Sequence, residues 1–77
     1  MRYSVYKKTS SEEYHFHGGE SYPWGCESNQ TSICKKSIKT EGILVTSCLT
    51  ASEARFKAAS IGEAFCGTCV SHLYKNY

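Results

Sequence analysis

Two short stretches carry the residue types that do chemistry in this chain: CGTC at Cys66–Cys69, and HFH at His15–His17. A C-x-x-C pair supports three chemistries: a redox disulfide, half of a tetrahedral zinc site, or no chemistry, with two thiols packed as small hydrophobes. The redox reading requires a strand before the first cysteine, a helix starting at it and further strands after it. Eight residues follow Cys69, too few for the rest of a thioredoxin-like fold. The zinc reading needs two more soft ligands, and the chain offers Cys26 and Cys34, or His15 and His17. Seven residues separate Cys26 from Cys34, which is wider than the usual ligand pair.

Local pattern decides between these readings at this level. Residues 64–74 set Phe65, Cys69 and Leu73 against Cys66, Val70, His72 and Tyr74, which reads as a strand. On a regular strand Cys66 and Cys69 point to opposite faces and cannot chelate one ion. The expectation is therefore free thiols, with no metal and no cofactor; the alternative is a zinc site of Cys26, Cys34, Cys66 and Cys69. His15 and His17 share a strand face and are expected on the solvent side of a hairpin.

The rest of the sequence sets the scaffold. With 77 residues there is room for one domain (1–77) with a thin core of the kind that often needs a staple, a metal or a partner subunit. RYSVYKK and YHFHGG alternate with period two around the polar TSSEE, so residues 2–17 read as a β-hairpin ended by Gly18 and Gly19. Residues 18–32 hold the only proline and match neither period, so a long loop is expected there. SICKKSI reads as a strand or irregular turn, and GILVTSCL as a buried strand. In TASEARFKAASIG, Thr50 and Glu53 have capping-box spacing, the alanines favour helix and Gly62 is placed to end it, which predicts a helix over 51–61. Ala51, Ala54, Ala58 and Ile61 form its small face, with Phe56 at the edge of the core. The predicted fold is α+β: a small antiparallel sheet of the hairpin plus two or three strands, packed against one helix.

Composition narrows function. The net charge is +2, no apolar run approaches a bilayer span, and no GxGxxG, P-loop or HExxH pattern occurs. MRYSVYKKTS has no secretory signature and the cysteine count is odd, so a cytoplasmic location with reduced thiols is expected. A core this small seldom encloses a catalytic cleft, so the chain reads as a non-enzymatic binding protein. Tyr6, Tyr14, Tyr22, Trp24 and Phe56 are candidate anchors for a partner, and Lys35, Lys36 and Lys39 a small basic patch.

Residues 47–74, SCLTASEARFKAASIGEAFCGTCVSHLY, resemble the strand, capped helix and strand of small phage-encoded inhibitors, among them one family of anti-CRISPR proteins. The resemblance implies a compact inhibitor or modulator of a large host protein or nucleoprotein complex, acting in the host cytoplasm. The alternative is a small nucleic-acid-binding module, zinc-stapled or with strands in the major groove. Lys7, Lys8, Lys35, Lys36, Lys39, Arg55 and Lys57 would then meet phosphates, with steep salt dependence. A monomer or an edge-paired homodimer fits either reading.

Overall fold

The computed structural model describes residues 2–75. Four strands, β1 (Arg2–Lys8), β2 (Tyr14–Tyr22), β3 (Gly25–Ser28) and β4 (Gly42–Leu49), precede two helices, α1 (Ala51–Ile61) and α2 (Gly67–Lys75). The sheet is antiparallel throughout, in the order β3-β2-β1-β4. This is the α+β class expected from the sequence, with the hairpin pairing Val5 to Phe16 and Tyr3 to Gly18.

Helix α1 forms where its local signals place it. The Thr50 hydroxyl accepts from the Glu53 amide at 3.2 Å, and the Glu53 carboxylate accepts from the Thr50 amide at 2.9 Å. Two of the orphan donors at the helix start are thereby satisfied. Gly62 closes the other end at φ 77°, donating its N–H to the Ala58 carbonyl. Ala54 and Ala58 are the residues this helix buries, four apart on one face, and their small size lets the backbone approach the sheet. Phe56 is not at the edge of the core: it lies 79% exposed, because its position on the helix points away from the alanine face.

The core is largely aromatic. Phe16 packs on Phe65 with ring centroids 4.3 Å apart and meets Tyr3 edge to face at 6.0 Å. Val5, Cys34, Ala54, Ala58, Cys66, Cys69 and Leu73 complete it among the described residues.

Further expectations fail. GILVTSCL forms a strand but not a buried one: β4 is a sheet edge with no buried residue, and Ile43, Leu44 and Val45 are exposed. The long loop over 18–32 is not there: β2 continues through Gly18 and Gly19 to Tyr22, turns at Pro23–Trp24 and returns as β3. A Cβ on Gly19 would fall 1.9 Å from the Glu27 carbonyl oxygen of β3, so here glycine permits close strand packing rather than ending the strand. Free thiols are not the rule for all five cysteines, since Cys26 on β3 and Cys48 on β4 are bonded. These strands are the two edges of the sheet, and its curl brings their Cα atoms to 5.5 Å. Finally, residues 64–74 form no strand. One residue, Phe65, makes a parallel bridge to Tyr14, and the chain then enters α2. Cys66, Cys69, Val70 and Leu73 follow i, i+3, i+4, i+7 spacing, so the helical period prevails over the alternation. The sheet is thus packed with two helices rather than one.

Candidate metal centre

The first half of β2 has β1 on one side and no strand on the other. That open edge organises the site. Two non-strand segments cover it, bonding to its exposed carbonyls: Ile33 N–H donates to the Phe16 carbonyl and Cys66 N–H to the Tyr14 carbonyl, both at 2.8 Å. The first segment is the loop before β4, closed on itself by Ser32 N–H to the Ser37 carbonyl and by a bridge between Thr31 and Ile38. Within it Lys35 adopts φ 63°, a left-handed conformation unusual for a lysine. The turn lets the Lys36 amide bond to the Cys34 thiol. The second segment is the entry to α2, with Cys66 immediately before the helix and Cys69 in its first turn.

These segments bring four soft donors together. His15 from β2, Cys34 from the loop, and Cys66 and Cys69 from the start of α2 are all buried, and their ligand atoms lie within 4.8 Å of one another. His15 Nδ1 stands 3.3 Å from Cys34 Sγ and 3.6 Å from Cys69 Sγ, and the sulfurs of Cys34 and Cys66 are 3.8 Å apart. A tetrahedral zinc with Zn–S of ~2.3 Å and Zn–N of ~2.0 Å has sulfur–sulfur edges of ~3.8 Å and nitrogen–sulfur edges of ~3.5 Å. These three edges match that set, and the remaining donor pairs lie within 4.8 Å. They are far too long for a Cys34–Cys66 disulfide, whose sulfurs would be ~2.05 Å apart.

The surroundings act differently on Cys34 and Cys69. Phe16 N–H donates to Cys69 Sγ at 3.4 Å, and the Ser32 hydroxyl lies 3.1 Å from Cys34 Sγ. Burial raises the Cys34 thiol, but hydrogen bonds from Ser32, the Lys36 amide and the other two thiols outweigh it, leaving Cys34 below the ordinary thiol range. Cys69 moves the other way: burial pushes it up, the Phe16 amide offsets part of this, and charge on Cys34 and Cys66 adds to the rise. Three thiols this close cannot all ionise without a cation among them. Burial likewise lowers the His15 ring, against the pull of Glu13, so the imidazole is held neutral as a ligand must be.

Three members of the alternative zinc set read from the sequence lie in this cluster and the fourth does not. Cys34, Cys66 and Cys69 belong to the alternative zinc set, but Cys26 leaves it for Cys48 and His15 takes its place. The strand that would have kept Cys66 and Cys69 apart is the first turn of a helix, where residues three apart share a side. Nor do the histidines face solvent: both are buried. His17 stays out of the cluster, with Nδ1 donating to the Asn29 carbonyl at 2.9 Å and its ring against Tyr6. The missed signal is the position of HFH on a strand edge that two cysteine-bearing segments cap.

The remaining candidates are scattered. Tyr14 stacks on Phe65, with Lys7 over its other neighbourhood at 5.7 Å, and is half-buried. Tyr6 is half-buried too. Tyr22 and Trp24 stack with rings 4.8 Å apart and almost parallel at the β2–β3 turn, where Trp24 is 72% exposed. Lys35 and Lys36 are exposed, Lys36 reaching the Thr68 hydroxyl, and Lys39 is half-buried near His17. No helix among the described residues is long and apolar enough to cross a membrane.

No family model, curated protein or solved structure matches the chain.

Proposed function

We propose that the protein is a small non-enzymatic binding module whose fold is held by a structural zinc ion at His15, Cys34, Cys66 and Cys69. The observation that carries the reading is the convergence of one imidazole nitrogen and three sulfurs, from three separate segments, within 4.8 Å of one another, three of their separations being those of a tetrahedral zinc. Four protein donors leave no open coordination position, and all four residues are buried; both features belong to structural rather than catalytic zinc. Three thiolates and a neutral imidazole are also a donor set that selects zinc over magnesium or calcium.

The module is taken to bind a large protein or nucleoprotein complex, which it inhibits or modulates, as the resemblance to phage-type inhibitors implies; of the strand, capped helix and strand that carry that resemblance, β4 and α1 are present and the last element is helical. Support comes from the apolar surface left outside the core: Trp24 with Tyr22 at one turn, Ile43, Leu44 and Val45 on edge strand β4, and Phe56 on α1. Direct nucleic-acid binding is the second reading. It is favoured by the lysines of the metal-bearing edge, where Lys8 of β1 and Lys36 of the loop both act on His15 and Lys39 acts on His17.

Native mass spectrometry of protein purified without chelator tests the first part. One zinc per chain is expected, lost together with the circular dichroism of the fold on chelation; a metal-free, folded chain would contradict it. Gel retardation of duplex and single-stranded nucleic acid across salt separates the two partners. Binding that weakens steeply with salt supports the second reading, and none at low salt supports the first.

A further inference from the structure

Among the described residues, two buried ring nitrogens lack a hydrogen-bond partner, Nε2 of His17 and Nε2 of His15, and the second belongs to the proposed metal centre. His15 is almost fully enclosed, and its Nε2 makes no aligned hydrogen bond with any protein group. The other ring nitrogen, Nδ1, is the one that faces the sulfurs. A neutral imidazole has one N–H and one lone pair. If Nδ1 gives its lone pair to a metal, the proton must reside on Nε2, and a buried N–H without an acceptor is costly.

One group stands in reach. Glu13 Oε1 lies 3.0 Å from His15 Nε2, off the line of an ideal hydrogen bond. Glu13 sits in the turn between β1 and β2, two residues ahead of His15, and its carboxylate is 46% exposed at the wall of a surface cleft shared with Lys36, Cys66 and Thr68. Lys36 is engaged with the Thr68 hydroxyl on that wall, so the carboxylate remains available to the ring.

We infer that Glu13 is a positioning residue of the metal centre: its carboxylate accepts the Nε2 proton of His15 and so fixes the tautomer and ring angle that put Nδ1 on the metal. The inference rests on the zinc reading and adds to it an outer partner that the ligand set alone does not identify. Glu13 touches no metal; it acts through His15. A carboxylate in this place also raises the basicity of the imidazole, and removing such partners weakens metal sites by about 10- to 100-fold.

The test compares zinc affinity of wild type, Glu13→Ala and Glu13→Gln by competition with a chromophoric chelator, and reads the His15 ring nitrogens by long-range ¹H–¹⁵N correlation in the zinc-loaded proteins. Wild type is expected to show a protonated Nε2 and a ligated Nδ1. Glu13→Ala is expected to bind zinc about 10- to 100-fold more weakly, and Glu13→Gln, whose amide oxygen still accepts, to recover part of the loss. Matching circular dichroism of the zinc-saturated proteins shows that the loss is not one of folding; should Glu13→Ala not fold, Glu13→Gln and the ring signature decide. Unchanged affinity with an unchanged Nε2 signal in the variants overturns the role of Glu13 alone. A wild-type chain that takes no zinc, or takes it through Nε2, overturns the inference at its base.

Discussion

Lys35 pays for the site in backbone strain. A lysine at φ 63° sits in the left-handed region, a conformation that costs of order 1–3 kcal/mol and persists where the surroundings impose it. Here it turns the loop so that Cys34 faces His15 and the Lys36 amide meets the sulfur. Lys35→Gly is therefore expected to keep zinc affinity and stability, whereas Lys35→Ile, β-branched and ill-suited to positive φ, is expected to cost about 1–2 kcal/mol in urea unfolding. Equal stability of the two variants would contradict this account. At the ligands the expectation is sharper. Serine at Cys34, Cys66 or Cys69 should abolish stoichiometric zinc binding, while serine at both Cys26 and Cys48 should leave it intact, since those two belong to the disulfide. Atomic absorption on the purified variants checks both statements.

At the scale of elements, what the sequence discloses depends on how local the determinants are. Helix α1 was legible because propensity, the Thr50–Glu53 box and Gly62 all lie within thirteen residues and agree. Helix α2 was not, because nine residues are too few to hold a helix alone and its stability comes from Leu73, Phe65 and the thiols meeting the sheet. The same limit hid the ligand His15, whose burial depends on two segments far along the chain, and hid the passage of β2 through Gly18–Gly19. Two outcomes follow. Thr50→Ala should destabilise the protein by about 1 kcal/mol, read as a lower urea midpoint at constant slope. The Glu53 carboxyl is held below its ordinary value by hydrogen bonds from Thr50, so its support for α1 is present above the unfolded carboxyl range and fades as pH falls through the lowered one. Glu53→Gln should flatten that acid limb; an unaltered limb would show that Glu53 is not its source. On the sheet, Gly19→Ala places a methyl against the Glu27 carbonyl, and loss of amide protection in β3 relative to β1 is the expected result.

For the molecule as a whole, two covalent or near-covalent ties act at opposite places. The disulfide joins the outer strands β3 and β4 across a sequence separation of 22, and the proposed metal would join β2, the loop before β4 and the start of α2. Between them lies a core that, among the described residues, has ten buried apolar side chains, three of which are the clustered cysteines themselves. Without a cation, those three thiols and a buried imidazole are a polar cluster in the centre of a thin core, and such clusters destabilise unless fully satisfied. Reduction of the disulfide is accordingly expected to lower stability by about 2–4 kcal/mol while zinc stays bound, and chelation to release α2 and the loop over 29–38 before the β1–β2 hairpin. Hydrogen exchange with and without chelator distinguishes these orders of opening.

The most direct test is X-ray absorption at the zinc edge of the protein as purified. The account requires a first shell of three sulfurs at ~2.3 Å and one nitrogen at ~2.0–2.1 Å. A shell of four sulfurs would return Cys26 to the site in place of His15, a shell of oxygens and nitrogens would mark zinc bound adventitiously on the surface, and either result would contradict the centre described here.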